Sequence, residues 1–383
     1  MCVDSESGPT LDRTRFLGAI AALPAWASVA FGLPSAVLAD AVATGSVPLP
    51  EPPRGMSGAN ARATAIAAAS PFVRSTYAAT DALARSIADP ELRSNVLGLL
   101  ADPRPTFAAR YPDDASRTAC LAAMLRAGFV DAATPLAGLF PANVDARRAP
   151  QPFWSAAGST SGSHHAYPGG LLVHECFNAS IATQYAAGYD AAYFGGTKTI
   201  DRDVAIGAAL YHDAMKTVVF QWNDDGTPFA EATIAGTGAH HVLSGAEAIA
   251  RGRPPRFVIA LLSAHAAPSL GDETKVVAWC RAAALLAGVD PVAYGLVRAT
   301  STAFALAPEF VPIEAFVNHL SDHDYVLSVH AMHAVRAELD RHGGDAWYAN
   351  GILAHRSAIG LYHALAEGGR GAFDREVARV KLA

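Results

Sequence analysis

The chain has 383 residues, half of them apolar and few charged, which is enough for one large domain or two ordinary ones and argues against wholesale disorder. A net charge of −6 leaves no cationic footprint for an extended nucleic-acid backbone. The four cysteines show no paired spacing, which excludes a disulfide framework and a CxxC metal site.

In chain order, residues 1–43 read as an export signal. Arg13 and Arg15 precede the apolar run Phe16 to Leu23, and a small-residue stretch ends at Ala39-Asp40-Ala41-Val42-Ala43, with cleavage after Ala41 or after Ala43. Residues 12–17 (Asp-Arg-Thr-Arg-Phe-Leu) resemble a twin-arginine motif with Thr14 in place of the second arginine, so the route is twin-arginine-like or Sec. The expected location is periplasmic or secreted, with membrane contact only if the signal stays uncleaved. Pro24, Gly32 and Pro34 interrupt the apolar run and disfavour a spanning helix.

Residues 44–60 are Pro/Gly-rich and read as a linker. Residues 61–150 form an N-terminal helical region, punctuated by Pro103, Pro105 and Pro112. From about Phe153 histidines appear in clusters. Leu171–Ala187, Asp203–Lys216, His241–Arg251, Pro255–His265 and Thr274–Ala287 each carry helical periodicity. Residues 151–295 are expected to form one metal-binding domain, followed by a C-terminal helical extension over 296–383. The fold class is all-α, a helical bundle with additional N- and C-terminal helices. Cys120, Cys176 and Cys280 read as small buried apolar residues.

The chemistry lies in the stretch HHAYPGGLLVHE, residues 164–175, and in four later sites. Tyr167-Pro168-Gly169-Gly170 reads as a turn that starts a helix bearing His174. His212-Asp213 lies near a helix end, with Lys216 three residues on. His240-His241 opens the next helix, His265 ends the one after, and Asp290 follows the fifth. Helices of a bundle can aim such groups at one point. Imidazole and carboxylate are the ligands that borderline and hard divalent metals accept. Adjacent His and Asp can offer a nitrogen to one metal and carboxylate oxygens to two, and two metals about 3.5–4 Å apart clamp a nucleophilic hydroxide. Lys216 can place a cation against an anionic group.

The order H…HD…H…H…D resembles the HD-domain superfamily of metal-dependent phosphohydrolases, and His212-Asp213-Ala214-Met215-Lys216 resembles its H-D-x-x-K. Residues 164–174 resemble the H-H-A-Y-x-G-G-L-L-E-H segment of bacterial HD-type 3′–5′ exoribonucleases. Gly238 to Gly245 resembles their G-H-I-x-x-G, whose spacing to Gly245 selects His241 over His240. Leu261 to His265 resembles their L-S-H-H, with Ala264 in place of one histidine. The resemblance spans roughly residues 153–291, and no nucleic-acid-binding barrel precedes it.

The resemblance implies an enzyme with two divalent ions (Mn, Fe, Zn or Mg). His174, His212, Asp213 and Asp290 would hold one, and Asp213, His241 and His265 the other. Asp272 and Asp322 compete with Asp290 for the last place. Asp213 and Lys216 would carry the catalysis, with His164, His165, His240 and Lys216 facing a small phosphorylated substrate, a nucleotide or short oligonucleotide. The alternatives are an HD-type di-iron oxygenase on a small polar substrate and a non-catalytic exported binding protein. The C-terminal His319, Asp322, His323, Asp324, His330 and His333 read as a solvated helix face, with cleft lining as the minority view. Trp222-Asn223-Asp224 reads as a turn.

Overall fold

The computed structural model describes residues 47–141 and 149–381. The export-signal stretch and the start of the linker lie outside these residues. The fold is predominantly α-helical, as expected. Its helices are α1 (Gly58–Ala69), α2 (Pro71–Arg85), α3 (Pro90–Ala101), α4 (Asp114–Arg126), α5 (Leu136–Leu139), α6 (Gly170–Tyr193), α7 (Arg202–Tyr211), α8 (Lys216–Val219), α9 (Ala239–Ala250), α10 (Pro255–Leu262), α11 (Glu273–Ala287), α12 (Ile313–Ser321), α13 (Tyr325–Asp340), α14 (Ala346–Arg356) and α15 (Ala358–Ala378). Among the described residues there are also a 3-10 turn (Phe107–Arg110) and two short antiparallel hairpins, β1–β2 (Thr233–Ile234, Thr237–Gly238) and β3–β4 (Val297–Ala299, Phe304–Leu306). Among the described residues no helix is long and apolar enough to cross a membrane.

Local chemistry explains where the helices begin and end. Ser70 caps α2 through Val73 N with Pro71 at its first position, and Asp201 caps α7 through Asp203 N and Val204 N. Each side-chain acceptor satisfies an amide that the helix itself leaves unpaired. Gly288 closes α11 in the left-handed conformation, where a side chain would be strained. The expected helix Asp203–Lys216 is broken. It stops at Tyr211, and His212 to Met215 form a turn before α8. That turn puts His212, Asp213 and Lys216 on one inward-facing corner.

Helices α2, α6, α7, α9, α10, α11 and α12 pack around one apolar core. That core takes in the N-terminal helices as well, so position 150 is no break in packing. Val47 and Leu49 pack against it, and the Trp154 indole donates to Pro50 O at 3.1 Å. The segment read as a linker is therefore, from residue 47, strapped to the body. A second, smaller core joins α13, α14 and α15 and takes in Ala166 and Tyr167. Cys120, Cys176 and Cys280 are free and buried.

One constraint on the site arises in the turn before α6. Gly169 sits at φ +86°, and a Cβ there would press Val73 Cγ2 at 2.6 Å; a Cβ on Gly170 would collide with the His165 carbonyl oxygen. That carbonyl accepts from Gly158 N and Tyr167 N, so it cannot easily withdraw. Gly170→Ala should therefore destabilise the protein by roughly 1–3 kcal/mol or more. Gly188→Ala, at an open, exposed position of the same helix, should stabilise it by about 0.5–1 kcal/mol. Thermal unfolding of the two variants checks this; equal melting temperatures would show that the turn relaxes freely.

Candidate metal centre

His174 lies on the first turns of α6, His212 and Asp213 on the corner after α7, His240 and His241 at the start of α9, and His265 just beyond α10. These elements bring them together around one buried carboxylate. Asp213 divides its oxygens. Its Oδ2 faces His174 Nε2 at 3.2 Å and His212 Nε2 at 3.4 Å. Its Oδ1 faces His240 Nε2 at 3.1 Å, His265 Nε2 at 3.3 Å and His241 Nε2 at 3.9 Å. Lys216 Nζ forms an ion pair with Asp213 Oδ2, and both side chains are buried.

Asp290 is not part of this group. It is exposed, and its Oδ1 accepts from Val292 N and Ala293 N at 2.9 and 2.7 Å; it is a turn cap. Asp272 is also outside the group, paired with Lys275 at 2.8 Å. Asp322 takes the place instead. Its Oδ1 is 3.0 Å from His174 Nε2 and 3.3 Å from His212 Nε2, and its Oδ2 is 3.0 Å from His265 Nδ1. Helix α12 delivers it from outside the expected 151–295 domain. Asn318 donates to Ala260 O, the His319 ring bonds Ala264 O, and Glu314 bonds Asp201 N and Arg256. Those bonds stitch α12 to α7 and α10.

The solvated-face reading of the C-terminal cluster is thus corrected for two members. Asp322 and Asp324 are turned inward, with side chains only 7% and 5% exposed. His323, His330 and His333 are on the outside. His165 is buried, with Nδ1 on Tyr167 OH at 3.2 Å and Nε2 on Asp324 Oδ2 at 3.0 Å, so both ring nitrogens are engaged within the protein. His164 is half-buried, with its ring centroid 5.1 Å from that of His174. His240, read as a substrate-side group, is buried among the metal-competent side chains and lies nearer Asp213 than His241 does. Trp222 forms an antiparallel bridge with Pro228, flanking a turn that falls at residues 224–226 rather than at 222–224, and packs its ring 5.7 Å from that of Trp347.

Sequence reasoning assigned no role to the groups behind the histidines. Glu175 Oε1 accepts from Asp213 N at 3.1 Å, and its Oε2 lies 3.1 Å from His212 Nδ1. Glu231 Oε2 bonds His240 Nδ1 at 2.6 Å. Asn178, one turn after His174, donates to Asp322 Oδ1 at 2.8 Å. The only signal was weak: Glu175 adjoins His174, and Asn178 sits four residues on, the spacing of one helix face. Glu247, equally buried, is structural, since Thr106 N, Thr106 Oγ1, Phe107 N and Arg251 satisfy it.

A metal fits this donor set. A carbonyl or carboxylate can only accept, so Ala209 O, 2.7 Å from His212 Nδ1, and Glu231, on His240 Nδ1, each fix a proton on the δ nitrogen. The neutral rings then aim Nε2 lone pairs at carboxylate oxygens. His212 Nε2 is buried with no hydrogen-bond partner. Lone pair against lone pair in a buried site repels unless a cation lies between. Asp213 with His240, His241 and His265, His174 with His212 and Asp213, and His212 with His265 and Asp322 all hold ligand atoms within metal-sharing distance. The buried His/Asp groups can therefore hold a metal ion.

Without the ion, protons fill that role. Burial and Lys216 push the His174 pKa down, but the neighbouring carboxylates of Asp213, Asp322 and Asp324 outweigh them and raise it well above the ordinary value. Burial likewise lowers His212 and His240, and the surrounding carboxylates reverse this and raise both. Burial opposes ionisation of Asp213 and Asp322. Lys216 with His212 on the first, and His265 with His212 on the second, hold both well below the usual carboxylate range. His164 and His241 lie well below the ordinary value, chiefly through burial.

No protein-family model matches the chain, and no curated protein and no solved structure matches it.

Two predictions follow from this geometry. Asp322→Ala should lose bound metal while Asp290→Ala keeps it, as elemental analysis would read; the reverse would restore Asp290. Raised pKa values mean that His174, His212 and His240 hold their protons to higher pH than a free imidazole does, and a metal must displace those protons. Affinity should therefore rise from about pH 6 to about pH 8, by up to about tenfold per pH unit for each proton released. Calorimetric titration in buffers of different ionisation enthalpy measures the released protons. A pH-independent affinity would contradict the assignment.

Proposed function

We propose that this chain is a metal-dependent phosphohydrolase of the HD type, exported by its N-terminal stretch, acting on a phosphoester of a nucleotide or short oligonucleotide. The observation that carries this reading is the division of Asp213. One carboxylate offers Oδ2 to a set made by His174, His212 and Asp322, and Oδ1 to a set made by His240, His241 and His265. Asp213 could thus be shared between two ions, with His174, His212, Asp213 and Asp322 the residues that would hold one and Asp213, His240, His241 and His265 those that would hold the other. When bound, two divalent ions would supply Lewis-acid activation of water and of a phosphoryl group.

The chain's own residues do the rest. Asp213 keeps its negative charge through Lys216 and the imidazoles. Glu175 accepts from the Asp213 backbone amide and so anchors the corner that carries this carboxylate. Glu231 fixes the tautomer of His240. Lys216 is the cation closest to the bridge and offsets anionic charge there. His165 and Asp324 are paired with each other, leaving His164 as the neutral, half-buried imidazole beside His174 that a substrate oxygen would meet. The acidic chain favours a small phosphorylated substrate over a long polynucleotide.

The test is elemental analysis of anaerobically purified protein beside Asp213→Ala, followed by a panel of phosphomonoesters and phosphodiesters. About two metals per chain, lost in the variant together with turnover, is the expected result. Retained hydrolysis in Asp213→Ala would sink the mechanism. Two irons with substrate-dependent O₂ consumption and no phosphate release would move the chain to the oxygenase class. No metal after reconstitution would favour a binding protein.

A further inference from the structure

A group outside both expected ligand sets stands against the site. Asp324 lies two residues after Asp322, at the start of α13, and is buried. Its Oδ2 is engaged by His165 Nε2 at 3.0 Å. Its Oδ1 has no hydrogen-bond partner, and neither does His174 Nδ1. These two buried, unsatisfied atoms face each other across 3.4 Å. On the opposite edge of the same ring, His174 Nε2 points at Asp213 and Asp322.

His165 is set for this contact. It takes φ +52°, a backbone conformation uncommon for a residue with a side chain. Its carbonyl is locked by Gly158 N and Tyr167 N, and its Nδ1 meets Tyr167 OH. The loop is gripped on both sides of it from α13, where His333 meets Gly162 O at 2.7 Å and Arg336 donates to Ala166 O at 2.9 Å. A single helix of the C-terminal extension thus holds the loop and presents the carboxylate.

We infer that Asp324, oriented by His165, is the positioning residue of His174, accepting its Nδ1–H so that Nε2 is directed at the metal. The proposal rests on the metal reading above. It deepens that reading by assigning the second aspartate of Asp322-His323-Asp324 a separate task. Asp322 offers a ligand oxygen, and Asp324 aims a ligand nitrogen. A ligand histidine whose other nitrogen is held by a carboxylate keeps one tautomer and one ring orientation, and loss of such a partner weakens metal affinity about 10- to 100-fold.

The experiment is titration of Co²⁺ into metal-depleted wild type, Asp324→Asn and Asp324→Ala, reading stoichiometry, affinity and the visible ligand-field spectrum. Thermal unfolding of the three metal-depleted proteins reports whether each variant is folded. The expected result is two Co²⁺ per chain throughout, with one site weakened about 10- to 100-fold in Asp324→Ala and its spectrum altered. Asp324→Asn, which keeps an acceptor oxygen, should recover part of the loss. Affinities and spectra equal to wild type in both variants would overturn the positioning role while leaving the metal reading intact. Three Co²⁺ in wild type and two in Asp324→Ala would overturn it in favour of a further ion held by His165, His174 and Asp324. No Co²⁺ in any of the three proteins would overturn the metal reading and this inference together.

Discussion

Asp213 carries the constraint on which the site depends. It is fully buried, it is ionised, and its two oxygens face different sets of imidazoles. An isolated carboxylate in that position would lose its hydration for nothing and would be protonated. It stays charged because Lys216 and the histidines surround it. Those histidines are positioned in turn by Asp322, Glu175 and Glu231. Removing one member leaves others uncompensated, the costly half of a buried network. Binding of a metal ion there would therefore be coupled to the order of this region.

The fold meets that demand by bringing distant elements to one point. The corner after α7 exists because the helix stops at Tyr211 and re-forms at Lys216, which places the His-Asp pair and the lysine around a single turn. Helix α9 starts on Gly238, beside Glu231, so His240 and its orienting carboxylate arrive together. Gly245 permits close packing there, since a Cβ would meet Leu262 at 2.8 Å and Ala283 at 3.1 Å. Helix α12, stitched to α7 and α10 by Glu314 and Asn318, carries Asp322 across. The C-terminal helices have their own small core, yet Tyr167 belongs to it. They thus join the turn that launches α6.

Much was legible in the residues. The helical class followed from periodicity, and the boundaries of α9 and α11 and the start of α6 fell close to expectation because apolar spacing and caps act locally, whereas α6 runs on to Tyr193, past the expected end at Ala187. The convergence of His174, His212, Asp213, His241 and His265 was visible in their order along the chain. The last aspartate was not. Asp290-Pro291 and Asp322-His323-Asp324 look equally plausible in one dimension, and a turn cap uses the same side chain as a metal ligand. His241 was preferred over His240 by its spacing to a glycine. That glycine serves helix packing, while the ring closest to Asp213 is set by Glu231 across the hairpin.

The sequence by itself determined what is short-range. It set the helix-forming segments, the glycine turn at residues 169–170, and the supply of imidazoles and carboxylates. Tertiary structure alone decided which carboxylates are buried, which nitrogen of each ring faces inward, and that the 296–383 extension completes the site. The physical reason is that a buried charge is selected by its partners. For Asp322 and Asp324 those partners are His174, His265 and His165, between 57 and 159 positions away along the chain. No local pattern records such pairings. They exist only once α6, α10 and α12 are packed.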